Sequence, residues 1–452
     1  MKRVIVGLLV ISFSLLIKSC DTTDPPDNKS LNLKLEDVSC TEAWITLTTT
    51  NLPLPTTITL NQTNPSGDTK SQILNLNTQD SLLYIDSLLP NRTYSFITSH
   101  SGLTGISSNE LSVTTMDTTS HNYTFETFTF GDISNSVLFD VAIINENNIW
   151  AVGEINIADT SINGYTAYNA VHWDGSQWEL KRIKTNACGG VDYPPVKAIF
   201  AFAADDILFA HIDGSISHYD GIKFTNDCSL ITQLNGSVNK MWGTSRNDLY
   251  VVSGNGFIAH YQNWHWSKIT SGTDVDLKDI FGTTDGNEIW TCGWSNQNGR
   301  VAILEINGNG VESIWDSQTN TTLNIYSGTL LNSLWTSGNG EFVLVDGQVF
   351  RHSLIDKMIV RKEWVPTSNG WKVLDLGNFA YRIRGSNKNN FIVAGDAAMI
   401  WHYNGKSWHK FEEIYNTNDR IYGLSVQEEI MVAVGKRYGT GLGDALLIIG
   451  RR

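Results

Sequence analysis

The chain has 452 residues, a formal net charge of −14, and 41% hydrophobic against 17% charged residues. That balance excludes an intrinsically disordered chain, which combines low hydrophobicity with dense charge. It also excludes a nucleic-acid partner, because phosphate recognition needs clustered Lys and Arg and no basic run follows residue 3.

In chain order, the first element is a targeting segment. Lys2 and Arg3 give a positive start, residues 4–17 an apolar run, and Lys18-Ser19-Cys20 its end. The run suits the apolar region of a signal peptide and is shorter than the ~20 residues of a membrane span. A small residue ahead of Cys20 resembles the bacterial lipobox, although Ile17 and Lys18 depart from its commonest form. The resemblance implies that residues 1–20 are a lipoprotein signal peptide, that Cys20 is lipidated, and that the protein is held at the cell envelope, expected at the outer membrane. Membrane contact is then through the anchor alone. Residues 21–30, with Pro25 and Pro26, read as a tether.

Residues 31–118 carry an all-β pattern. Segments rich in Thr, Ile, Leu and aromatics alternate with turn residues at about 8–12-residue spacing, as in a β-sandwich. The run Leu88-Leu-Pro90-Asn-Arg-Thr-Tyr94 resembles the L-x-P-x-x-x-Y of the fibronectin type III family, and residues 111–115 resemble that family's last strand. The resemblance implies that Tyr94 is a tyrosine-corner residue whose hydroxyl bonds nearby backbone, and that the module is a spacer. Trp44 stands a few residues earlier than the family's core tryptophan.

From residue 120 onward one unit recurs. An apolar strand leads to a turn ending in Asn or Asp, followed by a second apolar strand. The clearest copy runs from Asn239 through Trp242 and Asn247-Asp248 to Gly254. The turn-plus-strand element returns at Asn147, Asp205, Asn287 and Asn389, and more diffusely at Gly340 and Glu428. With the copy at Asn247 there are seven, near the roughly 40–50-residue period of propeller blades. A second signature of His, aromatic, turn and aromatic begins at His172, His218, His260 and His402. Its Asp-Gly and Asn-Gly centres mark tight hairpins between third and fourth strands, so each unit reads as a four-stranded meander. The last unit stops at its third strand, and residues 123–130 form a strand with no unit of their own, suited to closing the ring. The expected fold is all-β: a fibronectin type III-like sandwich, then a seven-bladed β-propeller over residues 120–452. Six or eight blades remain alternatives, because two copies are diffuse. The units resemble repeats of uncharacterised bacterial envelope propellers and lack WD-repeat, kelch, quinoprotein and sialidase Asp-box signatures.

Repetition argues that His172, His218, His260 and His402 are scaffold. Equivalent positions on different blades cannot converge on one ion, and a mononuclear site needs three or four ligands. They are expected to bond backbone or pack between blades. The recurring Phe200, Trp242, Phe281 and Trp335 read as core, while Arg384 takes that place in the sixth unit, for function or to pair with an acid. Cys188 and Cys228 lie in loop-like segments flanking one repeat and are candidates for a disulfide; Cys292 reads as a small buried hydrophobe. Neither a metal nor a cofactor is expected, and there is no G-x-S-x-G, Walker loop or H-E-x-x-H.

Function is sought where the repeats differ. Segments 154–169, 294–300 and 436–444 read as long loops between second and third strands, and 184–195 as a long segment between units. Loops carry binding residues, and Tyr165, Tyr168, Tyr193, Trp294, Arg437 and Tyr438 suit a glycan or a protein ligand. The expectation is a monomeric, non-catalytic binding lipoprotein. A propeller-fold glycosidase or polysaccharide lyase and a scaffold for an envelope complex are the alternatives.

Overall fold

A computed structural model describes residues 28–133, 135–185, 188–234, 236–319, 330–338, 341–345, 349–353, 358–362, 364–367, 370–439 and 443–452. Cys20, its leader, Gly340 and residues 440–442 lie outside them. The chain is all-β, and among the described residues no helix is long and apolar enough to cross a membrane. The described residues divide into two compact units. One holds the residues up to Lys34 with Thr46–Ser81 and Ser95–Ser112; the other holds Leu35–Ile45, Leu82–Tyr94 and Val113–Arg452.

Among the described residues before 115 there are seven strands, numbered in chain order: Ser30–Val38, Ala43–Thr50, Thr56–Thr63, Thr69–Leu76, Asp80–Ile85, Thr93–His100 and Leu111–Thr114. They form a three-stranded sheet (strand order 1-2-5) and a four-stranded sheet (order 4-3-6-7). Ser30, expected in the tether, begins the first strand. The alternation of Thr57, Thr59 and Asn61 with Ile58 and Leu60 puts one face of Thr56–Thr63 in the core and leaves the other half-exposed. The Leu89 amide donates to the Tyr94 hydroxyl at 2.8 Å, which pins the turn at Pro90.

In the second unit, seven four-stranded antiparallel sheets follow one another along the chain, the arrangement of propeller blades. Their first strands are Val137–Asn145, Val196–Ala203, Lys240–Ser245, Asp276–Gly282, Ser333–Gly338, Ala380–Asn387 and Asp419–Gln427. Each of these touches the next, and the seventh touches the first, so they form a closed inner ring. Thr124–Phe130 pairs antiparallel with Gly443–Arg451 and supplies the outer strand of blade 7. A two-stranded ribbon, Trp364–Thr367 with Gly370–Val373, stands between blades 5 and 6 in the chain.

The core is distributed over the seams between blades. Seven apolar clusters each join neighbouring blades, such as Trp150, Val152, Ile199 and Phe209 between blades 1 and 2. The seam of blades 7 and 1 is filled by Leu138, Ile149, Val171, Val432 and Leu447. Both faces of every blade are thus covered, which is why these strands read as continuous apolar runs rather than as clean alternations. Blades 7 and 1 also approach closely at Gly423, where a Cβ would fall 2.7 Å from the Phe139 carbonyl oxygen.

Two segments expected as long loops are instead ladder extensions. In blade 1, Ile155–Ala158 keep pairing with Tyr165–Tyr168 beyond a bulge after Val152, leaving only residues 159–164 as a turn. In blade 7, Lys436, Arg437 and Tyr438 pair with Ala445, Asp444 and Gly443. Alternating apolar residues such as Ile155 and Ile157 continue the strand pattern past the point where the shorter repeats turn.

Candidate functional site

The two repeat signatures prove to be halves of one contact. Nε2 of His172, His218, His260 and His402 lies 2.9, 2.8, 2.7 and 3.1 Å from Oδ1 of Asn148, Asp206, Asp248 and Asn390. The turn-ending Asn or Asp therefore holds the hairpin His on the adjacent strand of the same blade. The bonds run to side chains rather than to the expected backbone, because facing positions on antiparallel neighbours lie within side-chain reach; the expected packing between blades is met at His218, whose Nε2 lies 3.2 Å from Nη1 of Arg246 in blade 3. His172 also stacks on Trp150 and His260 on Tyr250, with centroids 4.2 and 4.0 Å apart. The four His stand in four different blades, 1, 2, 3 and 6. Among the described residues no group of His, Cys, Asp or Glu could hold a metal ion.

The inner ring is where different blades converge. Its cross-strand register aligns Ala142, Phe200, Trp242, Phe281, Trp335, Arg384 and Ser425, six of them opposite the third residue of their second strand and Phe281 opposite the second. Three residues earlier stand Phe139, Lys197, Asn239, Lys278, Asn332, Tyr381 and Tyr422, one from each blade, and all seven line a single cavity of about 530 Å³. The cavity opens on the face where first strands begin and second strands end. Trp294 and Lys436, at or near the ends of second strands, complete its wall with Arg382, Val137 and Asp140.

Below this ring lies a layer of buried ion pairs. Lys240 donates to Asp140 at 2.5 Å, and Arg384 grips both oxygens of the fully buried Asp279 at 2.7 and 2.8 Å. The Ser333 hydroxyl also donates to Asp279. Arg384 thus departs from the repeated aromatic in order to pair with an acid two blades away. Lys240 and Arg384 border a second cavity of about 180 Å³ further along the axis, lined also by Phe200, Trp242 and Phe281.

The upper cavity is cationic. Lys197 sits over the Phe139 ring, 4.0 Å from its centroid, and Lys278 lies 5.2 Å from that of Trp294. Burial, with Arg382 and Lys278 nearby, pushes the Lys197 ammonium down to about 8 despite the opposing charge of Asp140. Arg382 donates to the carbonyls of Asn332 and Tyr381, while its Nε is buried with no hydrogen-bond partner. Lys278 shares Asp276 at 3.3 Å. No carboxylate among the described residues pairs with Lys197, Arg382 or Lys436. Asp140, the one acid of the wall, is held by Lys240 and by the Ile199 amide. Asn239 and Asn332 reach across to the carbonyls of Leu277 and Ala380, and the Trp294 indole donates to Asn332. Such a pocket, rigidly set on strands, can bind an anion; its wall has no pair of free acids for glycoside hydrolysis.

Of the residues singled out from sequence, Trp294 lines the cavity. Tyr438 reaches it indirectly, its hydroxyl 3.1 Å from that of Tyr422. Arg437 points elsewhere, clamped on both oxygens of the buried Asp419. Tyr168 packs against the seam of blades 7 and 1, Tyr165 is exposed at the end of the blade 1 ladder, and Tyr193 lies beneath the Arg182 guanidinium. Cys188, near Tyr193 in sequence, is joined to Cys228 in a disulfide, and Cys292 is fully buried in blade 4. Sequence reasoning passed over Lys197, Lys278, Tyr381, Arg382, Tyr422 and Lys436. The available signal was the position three residues before the repeated aromatic, which is polar or aromatic in every unit.

Neither a protein-family model nor a curated protein sequence matches the chain. Solved structures do resemble it. One is YCF48 from Cyanidioschyzon merolae, 11% identical, with a TM-score of 0.49 over 72% of this chain and 98% of that one. Another is PorZ of Porphyromonas gingivalis, described as an essential bacterial surface component of the type-IX secretion system, 10% identical with a TM-score of 0.53. That alignment covers 94% of this chain and 57% of PorZ, so this chain spans little more than half of PorZ's length. At such identity the likeness is one of fold alone.

Proposed function

We propose that this chain is a non-catalytic binding protein of the bacterial cell envelope, and that its ligand is an anion seated in the upper cavity of a seven-bladed propeller. One observation carries the reading: an open cavity in an acidic chain gathers Lys197, Lys278, Arg382 and Lys436 while offering a single, already bonded acid. Low-dielectric walls around like charges focus potential and draw in the opposite charge. Envelope location is supported by the leader ending at Cys20 and by the Cys188–Cys228 disulfide, since such bonds persist in oxidising compartments. The fold likeness to PorZ, a surface component, agrees with it. The 1-2-5 and 4-3-6-7 strand orders, together with the Tyr94 hydroxyl bond, support a fibronectin type III-like spacer ahead of the propeller.

The test is calorimetric titration of the intact chain with sulfate at fixed ionic strength. One saturable site is expected in the wild type, and its loss in Lys197→Gln/Lys436→Gln. Equal binding by that variant would place the anion elsewhere and reject the cavity.

A further inference from the structure

The cavity wall does not stop at its rim. Tyr381 and Tyr422, both on the ring, have centroids 5.8 Å apart, and the Tyr422 hydroxyl meets that of Tyr438 at 3.1 Å. Tyr438 is 40% exposed, so the three rings run from inside the cavity to open surface across blades 6 and 7. Two cations flank the outer ring: Arg420 at 5.1 Å and Lys436 at 5.2 Å from the Tyr438 centroid. Arg420 is also tied to Asp396, which accepts from the Tyr381 hydroxyl. The ledge is therefore braced by polar contacts at every tyrosine.

We propose that the ligand is an acidic glycan, its charged group against Lys197 and Arg382 and its further sugar rings laid outward along Tyr422 and Tyr438. This rests on the reading of the cavity as an anion site and specifies what carries the anion. Sugar rings present a C–H face to an aromatic plane and hydroxyls to amides and phenols, and the site supplies both kinds of partner. An acidic peptide is served less well. Each inner strand keeps one unpaired side, but the outer ledge at Tyr438 rises from Ile430–Tyr438, a strand paired on both sides, and so offers a peptide no free edge for strand addition. A volume of about 530 Å³ falls within the roughly 300–1,000 Å³ of small-molecule sites, enough for an inner sugar while later ones lie on the ledge.

The experiment titrates the intact chain with four probes: galacturonate, tetragalacturonate, the neutral maltotetraose and tetra-aspartate. Tetragalacturonate is expected to bind about tenfold more tightly than galacturonate, the gain from one or two stacked rings. Tyr438→Ala, at an exposed site that leaves the fold intact, should remove that gain and leave galacturonate binding unchanged, while Tyr422→Ala, in the cavity wall, should remove the gain and weaken galacturonate as well. Lys197→Gln should weaken both acidic ligands. Tetra-aspartate binding more tightly than tetragalacturonate would overturn the glycan assignment in favour of an acidic peptide. Maltotetraose binding as well as the uronide, or a tetragalacturonate advantage that survives both tyrosine variants, would overturn it too. If sulfate binds in the cavity but no uronide does, the glycan assignment alone fails. If neither sulfate nor galacturonate binds, the cavity reading fails with it.

Discussion

If the cavity binds an anion as proposed, Lys197 makes that binding depend on pH in a direction fixed by its surroundings. Its ammonium faces the Phe139 ring, Arg382, Lys278 and Asp140, and burial with the two cations brings it down to about 8 from an ordinary value of 10.5. At pH 7 about nine in ten free molecules carry the charge, and at pH 9.5 about three in a hundred. A bound anion favours the charged form and draws the proton back. Apparent affinity should therefore fall about thirtyfold from pH 7 to pH 9.5, with about 0.9 proton taken up per anion near pH 9. Calorimetry of sulfate binding in two buffers of different ionisation heat measures that uptake directly. Lys197→Arg, charged at every accessible pH, should flatten the profile. The same displacement acts on stability. Between pH 8 and 10.5 the unfolded chain binds this proton more tightly than the folded one, so stability rises with pH through that window. Lys197→Met should then stabilise the protein by up to about 3 kcal/mol at pH 7, and by progressively less toward pH 10. An affinity constant from pH 7 to 9.5, or an unaltered profile in Lys197→Arg, would refute this placement of the ammonium.

Other perturbations probe the scaffold. Arg384→Met strands the fully buried Asp279 and should cost about 3–5 kcal/mol in urea unfolding, most of it recovered in Arg384→Met/Asp279→Leu. The Cys188–Cys228 link has a sequence separation of 40, so Cys188→Ser/Cys228→Ser should cost about 4 kcal/mol by chain entropy, read from thermal melts with and without reductant. His260→Ala deletes the bond to Asp248 and the stack on Tyr250, for a loss of about 1–3 kcal/mol, whereas zinc should leave the wild-type Tm unmoved.

The blades were legible because their signal is local. Asn or Asp at the end of one turn and His on the next hairpin recur together, and the contacts at Asn148, Asp206, Asp248 and Asn390 explain why. The ladder extensions in blades 1 and 7 were harder to read, since a longer gap between second and third strands looks alike in sequence whether it loops or pairs. The site was least legible of all. Lys197, Lys278, Arg382 and Tyr422 lie on different blades, with stretches of a blade or more between them in sequence. Only closure of the ring gathers them, and no motif spacing records that closure. Attention to loops, where the repeats disagree in length, found Trp294 and the outer Tyr438. The cationic character of the cavity sits at a position where the repeats agree in length and differ in residue type.

The charge of that position has to be judged together with the layer beneath it. Asp140 with Lys240 and Asp279 with Arg384 are two complete pairs, so the buried layer adds no net charge to the cavity above. What remains at the rim is Lys197, Arg382 and Lys436, with Lys278 shared by Asp276. Holding like charges together in a folded chain is unfavourable unless something offsets it; burial is the main cause of the lowered Lys197 ammonium, and neighbouring Arg382 and Lys278 add to it. The surrounding seams are apolar and tightly filled, so the ring cannot relax by moving the charges apart. On the proposed reading, an anion supplied from outside neutralises it. Because Lys197 and Arg382 are partly withdrawn from solvent, added salt should weaken that anion's binding less than it weakens an exposed surface pair.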